Sequence, residues 1–343
     1  MRSGLSALLL LLLPLTFGAS APDEAALSRY EFSRFEMGTI FRIVLYAPSQ
    51  SQARDAARAA FKRIENLNNV LSDYRDDSEL RRLCERAGAG PQPVSEDLYS
   101  ILERSIEFSK LTGGAFDITV SPLIELWREA RRSKQLPAQD AIAQAGALVG
   151  FEKLRLNPDK QTAELMLAGM KLDLGGIGKG FAADEALKVL EQWGLHSALI
   201  DAGGDITLGE RPPGAEGWRI AVQDGAQSSI GGDHEDEIVV LYNSAIATSG
   251  DTQQFLEIGD IRYSHIVDPD NGFALNRSAS VTVIAANGTT ADAFATALSV
   301  LPPEKGMKII DSMKMEKVAA RVVQRTRGRL EYFYSQNWRK SDE

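Results

Sequence analysis

One cysteine, Cys84, is present in 343 residues, so no intramolecular disulfide can staple the fold. Cys84 follows Leu80 and Leu83 in a helical pattern and reads as a small core hydrophobe. Only three histidines occur, and no His/Cys spacing suits a zinc site. The absence of G-x-S-x-G removes the serine-hydrolase elbow. Positive charge is short as well. The 38 Lys plus Arg against 47 Asp plus Glu leave a net −9, which makes nonspecific nucleic-acid binding a poor fit. There is no low-complexity tract. Long apolar runs are confined to Leu5–Leu15, which follows Arg2 and precedes Gly18-Ala19-Ser20-Ala21. That pattern predicts a signal peptide cleaved after Ala21, and the run is short for a membrane span. No cysteine at the junction supports a lipid anchor, and no twin arginine precedes the run. The expectation is export as a soluble protein to the periplasm or another extracytoplasmic space.

What is there fits a globular protein of enzyme size: 44% hydrophobic and 25% charged residues, and a mature length of roughly 320 residues that allows a large core. The expected layout is a signal peptide at 1–21, a spacer at 22–31, one domain with two lobes at 32–336, and a tail at 337–343. Phe32 to Ala47 reads as strand around Gly38. Ser51 to Leu71 is helical, with Ala56, Ala60, Ile64, Leu67 and Leu71 on one face. The polar loop that follows carries Tyr74, the one large aromatic there, and a second helix starts at Ser78. Ser95 caps a helix to Leu111, which ends at Thr112-Gly113-Gly114-Ala115-Phe116-Asp117. In the plain reading the glycines cap that helix and Asp117 caps the next segment. A helix over 138–149 and a hairpin around Asn157-Pro158-Asp159 come next. Strands are expected at 197–200, 218–222, 238–241, 245–248, 262–267, 279–286, 318–323 and 330–334, and helices at 289–301 and near 303–313.

The chain is organised around Leu172-Asp173-Leu174-Gly175-Gly176-Ile177-Gly178-Lys179-Gly180-Phe181. A short apolar strand, Met170 to Leu174, is expected to enter four glycines in six positions, and an amphipathic helix leaves them. Glycines let a backbone approach an anion, and a helix N-terminus presents unpaired N–H groups. GGIGKG lacks the Ser or Thr that follows the lysine of a P-loop, and the Rossmann spacing is absent. The stretch therefore suits either a phosphate cradle or a tight turn before a core helix. Lys179 stays outside the site set, because lysines at helix starts often point to solvent. Asp201-Ala202-Gly203-Gly204-Asp205 is a second glycine turn flanked by carboxylates, suited to a ligand, a metal or a solvated turn. In the 289–301 helix, Asp292 and Thr296 are four apart and share a face. They offer a carboxylate and a hydroxyl, the hard oxygens Mg²⁺ takes, or else a first-turn dipole partner and a core threonine. His265 is either a hydrogen-bonded strand residue or a base titrating near neutrality.

In their order along the chain, Glu36-Met37-Gly38-Thr39, LSDYRDDSEL, TGGAFDITVSPLIELW, LDLGGIGKGFAAD, DAGGD, TSGD, SHIVDP and ADAFATAL resemble the FAD:protein FMN transferases, the ApbE family. The resemblance runs from about Met37 to Leu301. It implies an α+β fold of mixed, largely antiparallel sheets with packed helices, its two lobes flanking an FAD cleft. It further implies an exported Mg²⁺-dependent enzyme that cleaves FAD and joins FMN to a Thr or Ser hydroxyl of another protein, releasing AMP. The acceptor implied is a membrane-associated electron-transfer subunit. Carried over, Met37 and Tyr74 contact the flavin portion, and Ala115, Phe116 and Asp117 line the same site. Gly175, Phe181 and Val267 border it. Asp292, Thr296 and the Gly178 carbonyl are the metal ligands, and His265 activates the acceptor hydroxyl beside the catalytic Asp292. Two departures stand out: Ala295 replaces a carboxylate some members carry, and Gly178 a frequent alanine. The same motifs also suit a metal-dependent FAD pyrophosphatase or a non-catalytic FAD-binding protein.

Overall fold

The structure, a computed structural model, describes residues 27–222, 237–250, 255–258, 261–277, 279–313, 318–326 and 329–338. The expected signal peptide, residues 223–236 and Asp251 lie outside the described residues. An eight-stranded sheet forms the centre. Its strands lie side by side in chain order: Ser28–Glu36, Thr39–Ala47, Ala198–Ala202, Ile206–Leu208, Ser244–Gly250, Ala279–Ala285, Ala319–Thr326 and Arg329–Tyr334. Every described pairing is antiparallel. With the helices this makes an α+β fold, and each insertion returns to the sheet beside the strand it left.

Alternation along the strands builds two cores. Ile43, Leu45, Ile200, Ala245, Ala247 and Ala320 point into the larger one. Their neighbours Val44, Leu199, Ile246 and Ala319 point to the opposite face, where the hairpin of Trp218–Val222 and Glu237–Leu241 covers them, as the period of two requires. The larger core is closed by helices Gln50–Leu71, Gly178–Gln192 and Gly288–Val300. Small residues at helical spacing, Ala53, Ala56, Ala57 and Ala60 on the first and Ala182, Ala183 and Ala186 on the second, leave no bulk to hold these helices apart. A third cluster joins Leu123 and Trp127 of helix Ser121–Ser133 to Val267 and Ala274.

Several boundaries differ from expectation. The first strand begins at Ser28, inside the expected spacer, because the hairpin register runs on to pair Ser28 with Ala47. Trp338, in the expected tail, is 7% exposed and packs against Tyr334, with its Nε1–H donating to Glu237 at 3.3 Å. Met170 to Leu174 forms no strand. Its one cross-segment backbone bond goes from Asp173 N–H to the Ile118 carbonyl (2.8 Å), and the 3₁₀ turn Ile118–Val120 offers no ladder to extend. The strand expected over 262–267 stops at Ser264, whose Oγ accepts the Ile266 N–H (3.2 Å) and turns the chain. Val267 then returns as an isolated bridge to Ala274.

Candidate active site

Two helices cap each other at the glycine-rich turn. Helix Gly178–Gln192 has no side-chain cap of its own; the Gly180 N–H donates instead to Asp292 Oδ2 (3.1 Å) on helix Gly288–Val300. In return Asp184 accepts from Gly288 N–H (2.6 Å), Thr289 N–H (2.9 Å), Thr289 Oγ1 (2.6 Å) and Thr207 Oγ1 (3.1 Å). Each helix thus supplies the carboxylate that its partner's orphan amides need. Asp184→Ala leaves two amides and two hydroxyls short of an acceptor. It is expected to cost about 3 kcal/mol, read as a lower urea midpoint with an unchanged m-value.

The same crossing sets Thr296, on the same helix as Asp292, against the glycine turn. A Cβ placed on Gly176 would lie 2.7 Å from Thr296 Oγ1, and that hydroxyl reaches the Gly176 carbonyl at 3.5 Å. Thr296 thus packs on Gly176, two residues before the expected Gly178. Met37 sits at the tip of the first hairpin, where it and Gly38 both have positive φ (48° and 78°), the conformation a two-residue primed turn demands. Its Cε lies 3.6 Å from where a Gly178 Cβ would stand. Ala295 is buried in the core.

Electrostatics mark the spot. Lys179 Nζ, half-buried, is ion-paired with the buried Asp205 of the second glycine turn. Burial alone pushes Lys179 down, but Asp205 and Asp292 outweigh it and hold the ammonium charged. Asp292 is pushed up to about 7, first by burial and then by the Asp205 charge. One lysine thus faces two buried carboxylates, and Asp292 is short of positive charge. Among the described residues no group of three or more His, Cys, Asp or Glu could hold a metal. Carboxylate, hydroxyl and backbone carbonyl remain, an all-oxygen set that fits Mg²⁺ completed by water and phosphate.

The other expected residues have different surroundings. Tyr74 is 77% exposed, and Arg128 joins it to Asp173, whose Oδ1 accepts the Gly175 N–H (2.8 Å). Asp117 is buried and spends its oxygens on Thr119 N–H, Thr119 Oγ1 and Phe151 N–H (2.7–2.8 Å), shaping the turn. The Phe116 ring is in the core, edge-on to Phe108, so only its backbone is left to line a cleft. Ala115 and Phe181 are half-buried against that core. Val267 is buried with Trp127 in the third cluster, and His265 is half-buried just past strand Ile261–Ser264. A surface depression of about 550 Å³ lies on helix Gln50–Leu71 and is lined by none of these residues. Sequence reasoning missed Arg128, Asp173 and Asp184, which follow no local spacing rule, and left out Lys179.

A glycine-rich helix start capped by a buried carboxylate, with a hydroxyl and a carbonyl alongside, marks an α+β protein whose candidate site lies where two helices cross at a glycine turn. The ApbE family model matches residues 37–322, and the chain belongs to that family. It is 34% identical to the FAD:protein FMN transferase of Treponema pallidum (strain Nichols), over 82% of this chain and 81% of that protein. It is 32% identical to the one from Vibrio cholerae serotype O1, over 91% of each. Among solved structures, the flavin transferase ApbE from Vibrio cholerae superposes with a TM-score of 0.79 at 28% identity, covering 91% of this chain and 98% of that one. The apo flavinyl transferase ApbE of Pseudomonas stutzeri gives 0.80 at 26%, covering 92% and 97%.

Proposed function

We propose that this chain transfers FMN from FAD to a hydroxyl of a target protein, with Mg²⁺ at Asp292 and Thr296 and with release of AMP. The acceptor oxygen of a threonine or serine bonds to the phosphorus on the flavin side of the pyrophosphate. The bond from that phosphorus to the bridging oxygen breaks, and AMP leaves with the electron pair. His265 is assigned to take the hydroxyl proton. Asp292, Thr296 and the carbonyls of the glycine turn hold the cation, which when bound neutralises charge on the pyrophosphate. The glycine turn brings backbone close to the phosphates, and Lys179 keeps a fixed positive charge beside them. Met37 and Tyr74 flank the flavin end, and Asp117 holds the turn carrying Ala115 and Phe116. One observation carries the proposal. Asp292, 112 residues downstream, caps the helix that begins in the glycine turn, so the glycine turn and the carboxylate assigned to the cation occupy one place. The naming of its relatives as FAD:protein FMN transferases supports the same reaction.

Export and a membrane-associated electron-transfer acceptor complete the proposal. The Leu5–Leu15 run and the small residues after it support export; among the described residues no helix is long and apolar enough to cross a membrane. His265→Ala is expected to abolish acceptor labelling while FAD binding stays within about threefold. Equilibrium dialysis beside a labelling assay checks this, and loss of both together would assign His265 to binding instead.

A further inference from the structure

Tyr74 is a loop residue with most of its surface in solvent, yet its ring is not left to wander. The Arg128 guanidinium lies over one face, 4.7 Å from the centroid, and one of its nitrogens donates to the Tyr74 hydroxyl at 3.0 Å. Arg128 is itself fixed from below. Both terminal nitrogens reach Asp73 Oδ2 and one reaches Asp173 Oδ2, all at 3.0 Å. Asp173 is the most buried member, its side chain 9% exposed, and its other oxygen accepts the Gly175 N–H at 2.8 Å. The loop backbone is pinned as well, since Ser72 Oγ accepts the N–H groups of Tyr74 and Arg75.

We propose that Arg128 is a positioning residue for the flavin. It holds Tyr74 as an aromatic platform and, through Asp173, sets that platform at a fixed place relative to the glycine-rich turn. The inference deepens the FAD reading and rests on it. A planar ring offered by the ligand meets the face of Tyr74 that the guanidinium does not cover, and the cation behind the ring polarises it and holds it still. Because the fork is planar and reaches three partners at once, lysine cannot replace it.

The test compares FAD with ADP, which lacks the flavin, on the full-length protein. Arg128→Met is expected to weaken FAD by about tenfold, the size of one lost stacking partner, while ADP affinity stays within about twofold. In turnover, KM for FAD should rise by a similar factor with kcat little changed. Arg128→Lys, which keeps a cation beside Asp73 and Asp173, should show most of the same flavin-specific loss. Equal weakening of FAD and ADP would reduce Arg128 to a structural role and overturn the inference, as would unchanged FAD affinity in both variants. Failure of the wild-type protein to bind FAD would instead remove the functional reading beneath it.

Discussion

Asp292→Asn is expected to lower FMN transfer by at least about a hundredfold and to leave the folded protein no less stable. The two effects separate because Asp292 is costly where it stands. The unfolded chain releases this proton in the ordinary carboxylate range, near 4, whereas the folded protein keeps it until about 7, because of burial and the nearby Asp205 charge. The folded state therefore binds the extra proton between those values, and stability falls as pH rises through that window. The loss, about 4 kcal/mol at most, persists above pH 7. Asparagine can still accept the Gly180 N–H but carries no charge, and Lys179 keeps Asp205 as its partner. A divalent cation should raise the wild-type Tm more at pH 8 than at pH 5, and should leave Asp292→Asn unmoved. Thermal denaturation with and without Mg²⁺ at the two pH values reads this directly.

The second large effect belongs to Gly180. A Cβ there would stand 2.2 Å from the Gly288 carbonyl oxygen and 2.5 Å from its carbon. Both are backbone, so no side-chain rotation relieves the clash. The helices would have to separate, and with them the mutual caps of Asp184 and Asp292. Gly180→Ala is expected to cost about 3 kcal/mol or more and to remove transfer activity even where the chain remains folded. Chemical denaturation and the labelling assay check the two halves. Near-native stability would mean that the helix crossing is looser than the structure has it.

Much of this architecture was legible in the sequence because it is written at short range. The 3.6-residue pattern of Ala56, Ala60, Ile64 and Leu67 marks the first long helix, and Ser95 caps its helix as expected. The i, i+4 spacing by itself puts Asp292 and Thr296 on one helix face. The remainder depends on partners distant in the chain. Asp184 reads as an ordinary helix carboxylate until helix Gly288–Val300 arrives above it. Lys179 reads as a solvent-pointing lysine until the Asp205 turn closes over it. Met170 to Leu174 has the apolar look of a strand, but a strand needs a ladder, and among the described residues its cross-segment backbone bond goes to the Ile118 carbonyl of a 3₁₀ turn. Arg128 sits on helix Ser121–Ser133 with no local signal, and three loop or coil residues give it its meaning.

The central claim is that this site moves FMN onto a protein hydroxyl. Its most direct test is intact-mass spectrometry of a candidate flavin-carrying acceptor domain incubated with the mature protein, FAD and Mg²⁺. The account predicts one FMN added per acceptor, on a single threonine or serine, with one AMP released for each and no labelling by Asp292→Asn. AMP released with the acceptor unmodified would contradict transfer and point to water as the acceptor of the FMN phosphate. FAD left intact would contradict catalysis altogether.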